Sequence, residues 1–337
     1  MDDSLEIKED AVLQVMNLSV DFDVKGNNVS ILSKVNFGLG LGETLGIVGE
    51  SGCGKSMTAL ALLRMVPSPP GKISEGEVLL NNVDLMTLSK KEIKNIRGKE
   101  LSMIFQEPMT SLNPVFTVGN QLVETILEHK DLSRVDALKE AIELLRLVQI
   151  PAPEQRIKEY PHQLSGGMRQ RIMIAMALVC QPKVLIADEP TTALDVTVQA
   201  QIFDLLKEIQ AKTKMSIILI THDFGAISEM ADRVIVMYAG YKVEEGTLDE
   251  IRNSPLHPYT QGLLRSMLVI KPDSSGFKKP LPEIPGSVPD LLNRQPGCPF
   301  GPRCSQATIK CRSMPPNFNL GFKRSVKCWL ADNGRVE

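Results

Sequence analysis

Two short runs, Leu45 to Val48 and Val184 to Ala187, are apolar apart from one glycine, and a third, Ser216 to Thr221, is apolar between polar ends. Such runs are short for helices and present no polar face, the pattern of strands buried on both sides of a parallel sheet. Another strand is expected near residue 234. Helical periodicity fills the intervals. Leu138, Ala141, Ile142 and Leu145 recur at i, i+3, i+4 and i+7, with Val148 beyond them, and predict a helix with one buried face. Ile202, Leu205, Leu206 and Ile209 predict another after Asp195. Residues from about 10 to 100 alternate strand-like runs with turns, and no internal repeat or low-complexity tract interrupts them. The expected fold is α/β with a mainly parallel core sheet and a β-rich N-terminal part over 10–105 and 181–252, split by a helical insert over 106–180. Beyond about residue 253, Pro255, Pro258, Pro272, Pro280, Pro282, Pro285 and Pro289 break any long helix. Residues 253–337 therefore read as an appendix lying on the core or as a linker.

Composition narrows the setting. The 337 residues carry 43% apolar side chains and a formal net charge of −2, which leaves no basic footprint for nucleic acid. The longest apolar runs, such as Ile172 to Cys180, are about half the length of a membrane-spanning helix. Met1 is followed by acids where a signal segment has basic and then apolar residues. Any membrane role is expected to come through protein partners.

The chemistry begins where the first apolar run ends. Gly49 to Ser56 reads G-E-S-G-C-G-K-S, a complete phosphate-binding loop of the form G-x-x-x-x-G-K-[ST]. Gly49, Gly52 and Gly54 let successive backbone N–H groups and the next helix, Lys55 to about Met65, point at one anion. Lys55 neutralises the outer phosphates, and Ser56 can ligate Mg²⁺. Cys53 occupies an x position and is expected to be tolerated. The second run ends in Asp188 and Glu189. Ligands in open α/β sheets lie beyond the carboxyl ends of the strands, so these acids can reach the Mg²⁺ of a nucleotide held by the loop. Asp188 is expected to hold the metal through water, and Glu189 to orient or deprotonate the attacking water.

Between them lies Leu164, Ser165, Gly166, Gly167, Met168, Arg169, Gln170. L-S-G-G-x-x-Q resembles the signature of ATP-binding-cassette ATPases, and its hydroxyl and glycine N–H groups would open a helix from about Gly166 to Cys180. The resemblance implies a P-loop NTPase fold of that type and further roles. Phe22 looks like the aromatic that stacks on adenine, Gln106 like the residue that senses Mg²⁺ and the attacking water, Asp195 like the D-loop acid and His222 like the switch histidine at the γ-phosphate. The implied catalytic set is Glu189, His222 and Gln106, and Mg²⁺ falls to Ser56, Gln106 and Asp188. The implied ATP contacts are Phe22, Gly49, Glu50, Ser51, Gly52, Cys53, Gly54, Lys55, Ser56, Met57, Gln106 and Asp188. Leu164, Ser165, Gly166, Gly167, Gln170 and Asp195 would serve the site of a second, facing ATPase subunit, so that ATP joins the two and hydrolysis releases them.

The appendix carries Cys298, Cys304, Cys311 and Cys328, spaced C-x5-C-x6-C-x16-C. Disulfides do not suit a cytosolic protein, zinc sites favour tighter pairs, and a [4Fe–4S] cluster accepts four loosely spaced thiolates. H-P-Y-T at His257 to Thr260, I-P-G-S-V-P, G-C-P-F-G-P-R-C and E-P-M-T-S-L-N-P at Glu107 to Pro114 resemble the oligopeptide and dipeptide branch of ATP-binding-cassette importers. That resemblance implies an ATPase energising import of short peptides, or of nickel, glutathione or another small solute, at the cytoplasmic face of the cell membrane. It also implies a related but different second ATPase chain, two permease subunits docked near Gln106 to Pro114, an extracytoplasmic substrate-binding protein, and a [4Fe–4S] cluster on the four cysteines with zinc as the alternative. His257 reads as structural and not as an extra ligand.

Overall fold

The apolar runs are strands. The computed structural model describes residues 11–106, 111–192, 194–266, 283–290, 294–321 and 323–332. Pro272, Pro280, Pro282 and Glu107 to Thr110 lie outside them. An antiparallel sheet of β1 (Ala11–Val24), β2 (Asn27–Gly40), β4 (Gly71–Leu80) and β5 (Val83–Asp84) runs in the order β2-β1-β4-β5. The core sheet contains β3 (Thr44–Val48), β6 (Leu101–Ile104), β7 (Val184–Asp188), β8 (Ser216–Thr221), β9 (Arg233–Tyr238), β10 (Tyr241–Thr247), β11 (Phe318–Gly321) and β12 (Arg324–Val326). Its order is β11-β12-β10-β9-β3-β8-β7-β6, parallel from β9 to β6 and antiparallel beyond. The α/β fold with a mainly parallel core sheet is the one the sequence predicts.

Every residue of β3, β7, β8 and β9 is buried, and alternate side chains serve two different cores. Val184, Ile186, Ile218, Ile220, Ile235 and Met237 pack with the antiparallel sheet and the loop-following helix α1 (Lys55–Leu62). Leu185, Ala187, Ile217, Leu219, Val234 and Val236 pack with helices on the other face. Each such Val, Leu or Ile contributes about 1.5–3 kcal/mol by leaving water, which is why these strands tolerate no polar alternation. α1 stops at Leu62, short of the expected Met65. Arg64 turns left-handed (φ 51°), and Met65 N donates to Leu60 O at 2.7 Å, closing the helix end.

The remaining helices are α2 (Lys90–Ile96), α3 (Val118–His129), α4 (Arg134–Leu147), α5 (Pro153–Arg156), α6 (Gly166–Ala177), α7 (Val196–Thr213), α8 (Phe224–Met230), α9 (Leu248–Asn253) and α10 (Pro258–Arg265). α7 buries Ile202, Leu205, Leu206 and Ile209 as its periodicity requires. α4 differs from its expected stripe. Ala137, Ala141, Leu144 and Leu145 are buried, whereas Leu138 is 42% exposed and Ile142 only partly covered. The face that meets α3 and α6 is centred on small Ala137 and Ala141, so the bulky Leu138 falls at its edge.

The C-terminal segment enters the core sheet instead of merely lying on it. β12 pairs antiparallel with β10, with Val326 opposite Glu244 and Ser325 opposite Glu245. Arg324 pairs with buried Glu244 at 2.9 Å, and Glu244 also accepts from Leu256 N (2.8 Å) and His257 N (3.0 Å). No helix among the described residues is long and apolar enough to cross a membrane.

Candidate nucleotide and catalytic site

Four neighbouring parallel strands end in the residues singled out by sequence. In the order β3-β8-β7-β6, they run into the loop Gly49 to Ser56, into His222, into Asp188 and Glu189, and toward Gln106. Pairing β3 to β8, β8 to β7 and β7 to β6 thus gathers groups from positions 49 to 222 at one edge.

The loop is tightly built. A Cβ on Gly49 would lie 2.2 Å from Met237 O, so only glycine lets the chain pass there. Lys55 is 5% exposed, and its Nζ donates to Gly49 O at 2.7 Å and Glu50 O at 3.1 Å. Cys53 is fully buried beneath the loop, and burial pushes its thiol pKa up. Ser51 and Gly52 are exposed, and Met57 packs against the core of the antiparallel sheet. Glu50 is held from the C-terminal segment: Tyr259 Oη accepts from Glu50 N at 2.8 Å, and Arg303 grips its carboxylate.

Ser56 Oγ donates to Asp188 Oδ1 at 3.2 Å. Asp188 is 3% exposed, and burial pushes its carboxyl pKa up; the charge of Glu189 adds to this, while Ser56 and the charge of Lys55 oppose it. A buried carboxylate beside a hydroxyl offers hard oxygen donors that suit Mg²⁺, and the residues present fit that ion with a nucleotide phosphate on the loop.

Glu189 is the junction of the site. Gln106 Nε2 donates to its Oε2 at 2.9 Å, Thr192 Oγ1 to the same oxygen at 2.9 Å, and His222 Nδ1–H to Oε1 at 3.0 Å. Its own N–H donates to Ile220 O at 2.8 Å, and its φ of 48° is left-handed. Such a backbone persists in a non-glycine residue only where the surroundings enforce it. Partial burial pushes the Glu189 carboxyl up, but the hydrogen bonds from His222 and Thr192 and the charges of His222 and Lys55 together hold it below the ordinary value. Thr192 was not among the expected site residues. Its signal was a hydroxyl three positions after Glu189, one turn along a loop.

The remaining expected residues stand elsewhere. Phe22 lies on β1 opposite Val29 and Gly71, partly buried, with its ring so close that a Cβ on Gly71 would meet it at 2.7 Å. Ser165 caps α6 by accepting from Met168 N at 3.3 Å, and Asp195 caps α7 by accepting from Val198 N at 2.9 Å. The two helix starts touch: Gly166 faces Leu194, and a Cβ on Gly167 would come 2.8 Å from Val198. Leu164 and Gln170 are buried. Signature and D-loop residues therefore form one packed unit.

The cysteine expectation is corrected. Cys298, Cys304, Cys311 and Cys328 are free thiols, and among the described residues no group of three or more His, Cys, Asp or Glu side chains is arranged to hold a metal ion. The four cysteines and His257 line one small cavity. Burial pushes the thiol pKa values of Cys298, Cys304 and Cys328 up, the last to about 11. Cys298 and Cys304 pack on the helical core instead. His257 caps α10, its Nδ1 accepting from Tyr259 N at 3.0 Å, as a structural residue would.

A parallel sheet with a phosphate loop at one strand end and paired acids at another defines a P-loop nucleotide hydrolase. Residues 32–192 match the family model described as ABC transporter, and residues 243–311 match that of the oligopeptide/dipeptide transporter C-terminal region. The chain is 52% identical over 322 residues to the dipeptide transport ATP-binding protein DppD of Bacillus subtilis, covering 95% of each. It is 52% identical over 325 residues to the oligopeptide transport ATP-binding protein OppD of the same organism, covering 96% of this chain and 90% of that one. Among solved structures, a dimeric post-hydrolysis ATP-binding cassette bound to ADP and Pi matches with a TM-score of 0.63 at 28% identity, covering 70% of this chain and 98% of that one. The chain belongs to the ATP-binding subunits of ATP-binding-cassette transporters, in the oligopeptide/dipeptide branch. It is an ATPase that energises import, with ATP and Mg²⁺ at its site and membrane permeases as its partners.

Proposed function

We propose that this subunit drives import of dipeptides or oligopeptides from the cytoplasmic face of the membrane, as the names of its relatives suggest. In this reading, Lys55 and the N–H groups of Gly49 to Ser56 bind the phosphates, Phe22 stacks on the adenine, and Ser56, Asp188 and Gln106 hold Mg²⁺. When bound, Mg²⁺ supplies positive charge against the phosphate oxygens. The observation that carries the reading is the convergence of Gln106, Thr192 and His222 on the Glu189 carboxylate, next to Asp188 and Ser56. Glu189 takes the proton of the attacking water, Gln106 and Thr192 fix its orientation, and His222 carries that arrangement toward the γ-phosphate.

The chain divides, in this reading, into a nucleotide-binding core over 10–105 and 181–252, a signature subdomain over 106–180 and a C-terminal region over 253–337. Val115 and Phe116, 71% and 47% exposed just after the expected docking segment, support permease docking there. Ser165 and its neighbours serve the nucleotide of a second, related ATPase chain, and an extracytoplasmic binding protein delivers the solute. The test is ATP turnover by the complete transporter in membranes, with candidate solutes presented by the binding protein. Stimulation by short peptides supports the reading, whereas stimulation by nickel or glutathione alone replaces the substrate.

A further inference from the structure

Glu50, the second residue of the phosphate loop, has each of its polar groups committed. Its carbonyl accepts from Lys55 Nζ at 3.1 Å, and its N–H donates to Tyr259 Oη at 2.8 Å. Arg303 engages its carboxylate as a two-pronged fork, with Nη1 to Oε2 at 2.7 Å and Nη2 to Oε1 at 3.0 Å. That guanidinium is itself fixed. Nε donates to Pro285 O at 2.8 Å, Nη2 to Ile284 O and Gly286 O, each at 3.3 Å, and Nη1 to Tyr238 Oη at 3.3 Å. Its side chain is only 6% exposed. Tyr259 is likewise locked by Tyr238 and Phe300, at ring separations of 4.7 and 5.4 Å. Arg303 and the carbonyls of Ile284, Pro285 and Gly286, far along the chain, therefore hold a loop that ends at residue 56.

A carboxylate inside a phosphate loop is a problem of sign, because it repels the anion the loop binds. Paired in a rigid fork, it becomes a local dipole and a handle on the backbone. We propose that Arg303 is a positioning residue of the nucleotide site: it neutralises Glu50 and, with Tyr259, fixes the first turn of the loop, so that the C-terminal segment sets the affinity for ATP. The proposal rests on Gly49 to Ser56 being the ATP phosphate cradle, a reading that Lys55→Ala tests separately by loss of nucleotide binding.

The sign of the charge distinguishes this role from support of the fold. Removing Arg303 leaves an unpaired carboxylate on the phosphate loop; removing both charges restores neutrality although the fork is still lost. The experiment is steady-state ATP turnover by the complete transporter, with melting curves for each variant. Arg303→Met is expected to raise KM for ATP about tenfold while kcat at saturating ATP changes less than about threefold, the mark of lost ground-state and transition-state binding alike. Glu50→Gln added to Arg303→Met is expected to return KM to within about threefold of the parent. A KM unchanged by Arg303→Met, or as high in the double variant as in the single one, overturns the proposal. Glu50→Gln alone keeps the fold independent of the loss of Arg303. It leaves Arg303 without its carboxylate beside the loop and is expected to lower KM about twofold at low salt, an effect that fades as salt screens it; a raised KM in that variant also overturns the proposal.

Discussion

Glu189 is the residue on which the site turns, and its geometry carries two predictions. Glu189→Gln preserves size and the backbone contact to Ile220 but removes the base, so phosphate release by the assembled transporter is expected to fall by about 10²-fold or more. Near-normal turnover would remove Glu189 from the mechanism. Thr192→Val withdraws one of the three donors on that carboxylate. A lost hydrogen bond of about 1–1.5 kcal/mol to the orienting network corresponds to about a tenfold fall in kcat, with ATP binding by fluorescence titration unchanged. Asp188 and Glu189 were legible as candidates because an apolar strand leading into two acids is an uncommon string. Thr192 was not, because a hydroxyl in a loop is common and only the left-handed turn at Glu189 brings it to the carboxylate.

At the scale of elements, the C-terminal segment is held by buried polar groups more than by length of strand. Glu244 gathers Arg324, Leu256 N and His257 N, and His257 caps α10 from a position 1% exposed. Burial lowers the His257 pKa from 6.5 to about 3. The unfolded chain therefore binds a proton between those values that the folded chain refuses, and stability is lost as pH falls from 6.5 toward 3. From pH 7 to pH 5 this one group is expected to cost about 2 kcal/mol. His257→Asn keeps a capping acceptor and does not titrate, so the stability difference between those two pH values, read from urea unfolding, is expected to shrink by about that amount. An unchanged difference would show that the histidine titrates normally. The α4 stripe illustrates the limit of periodicity. Its existence followed from spacing, but whether Leu138 or Ala137 faces inward was set by how closely α3 and α6 approach.

On the scale of the whole molecule, the chain carries one phosphate loop and one signature. Ser165 and Asp195 hydrogen-bond within their own helix starts, at the other unit formed by Gly166, Gly167, Leu194 and Val198. Ser165→Arg is accordingly expected to leave ATP binding to the isolated chain intact and to abolish turnover of the assembled transporter. Loss of ATP binding by the isolated variant would mean that the signature serves its own chain's nucleotide.

Strand runs, the phosphate loop, the paired acids and the signature are local strings, each within about ten residues, and local strings are what a sequence states directly. They determined the α/β class, the ATPase chemistry and the branch of transporters. The sheet order determined the rest. Only the pairing of β8, β7 and β6 brings Gln106 and His222 onto the Glu189 carboxylate. Only folding of the C-terminal segment against β9 and β10 brings Arg303 to Glu50. It also left the four cysteines in no arrangement that would hold a metal ion among the described residues, because spacing records how many thiols there are, while the fold decides how they sit. Contacts between residues hundreds of positions apart depend on which faces exclude water together, and no window of sequence contains that information.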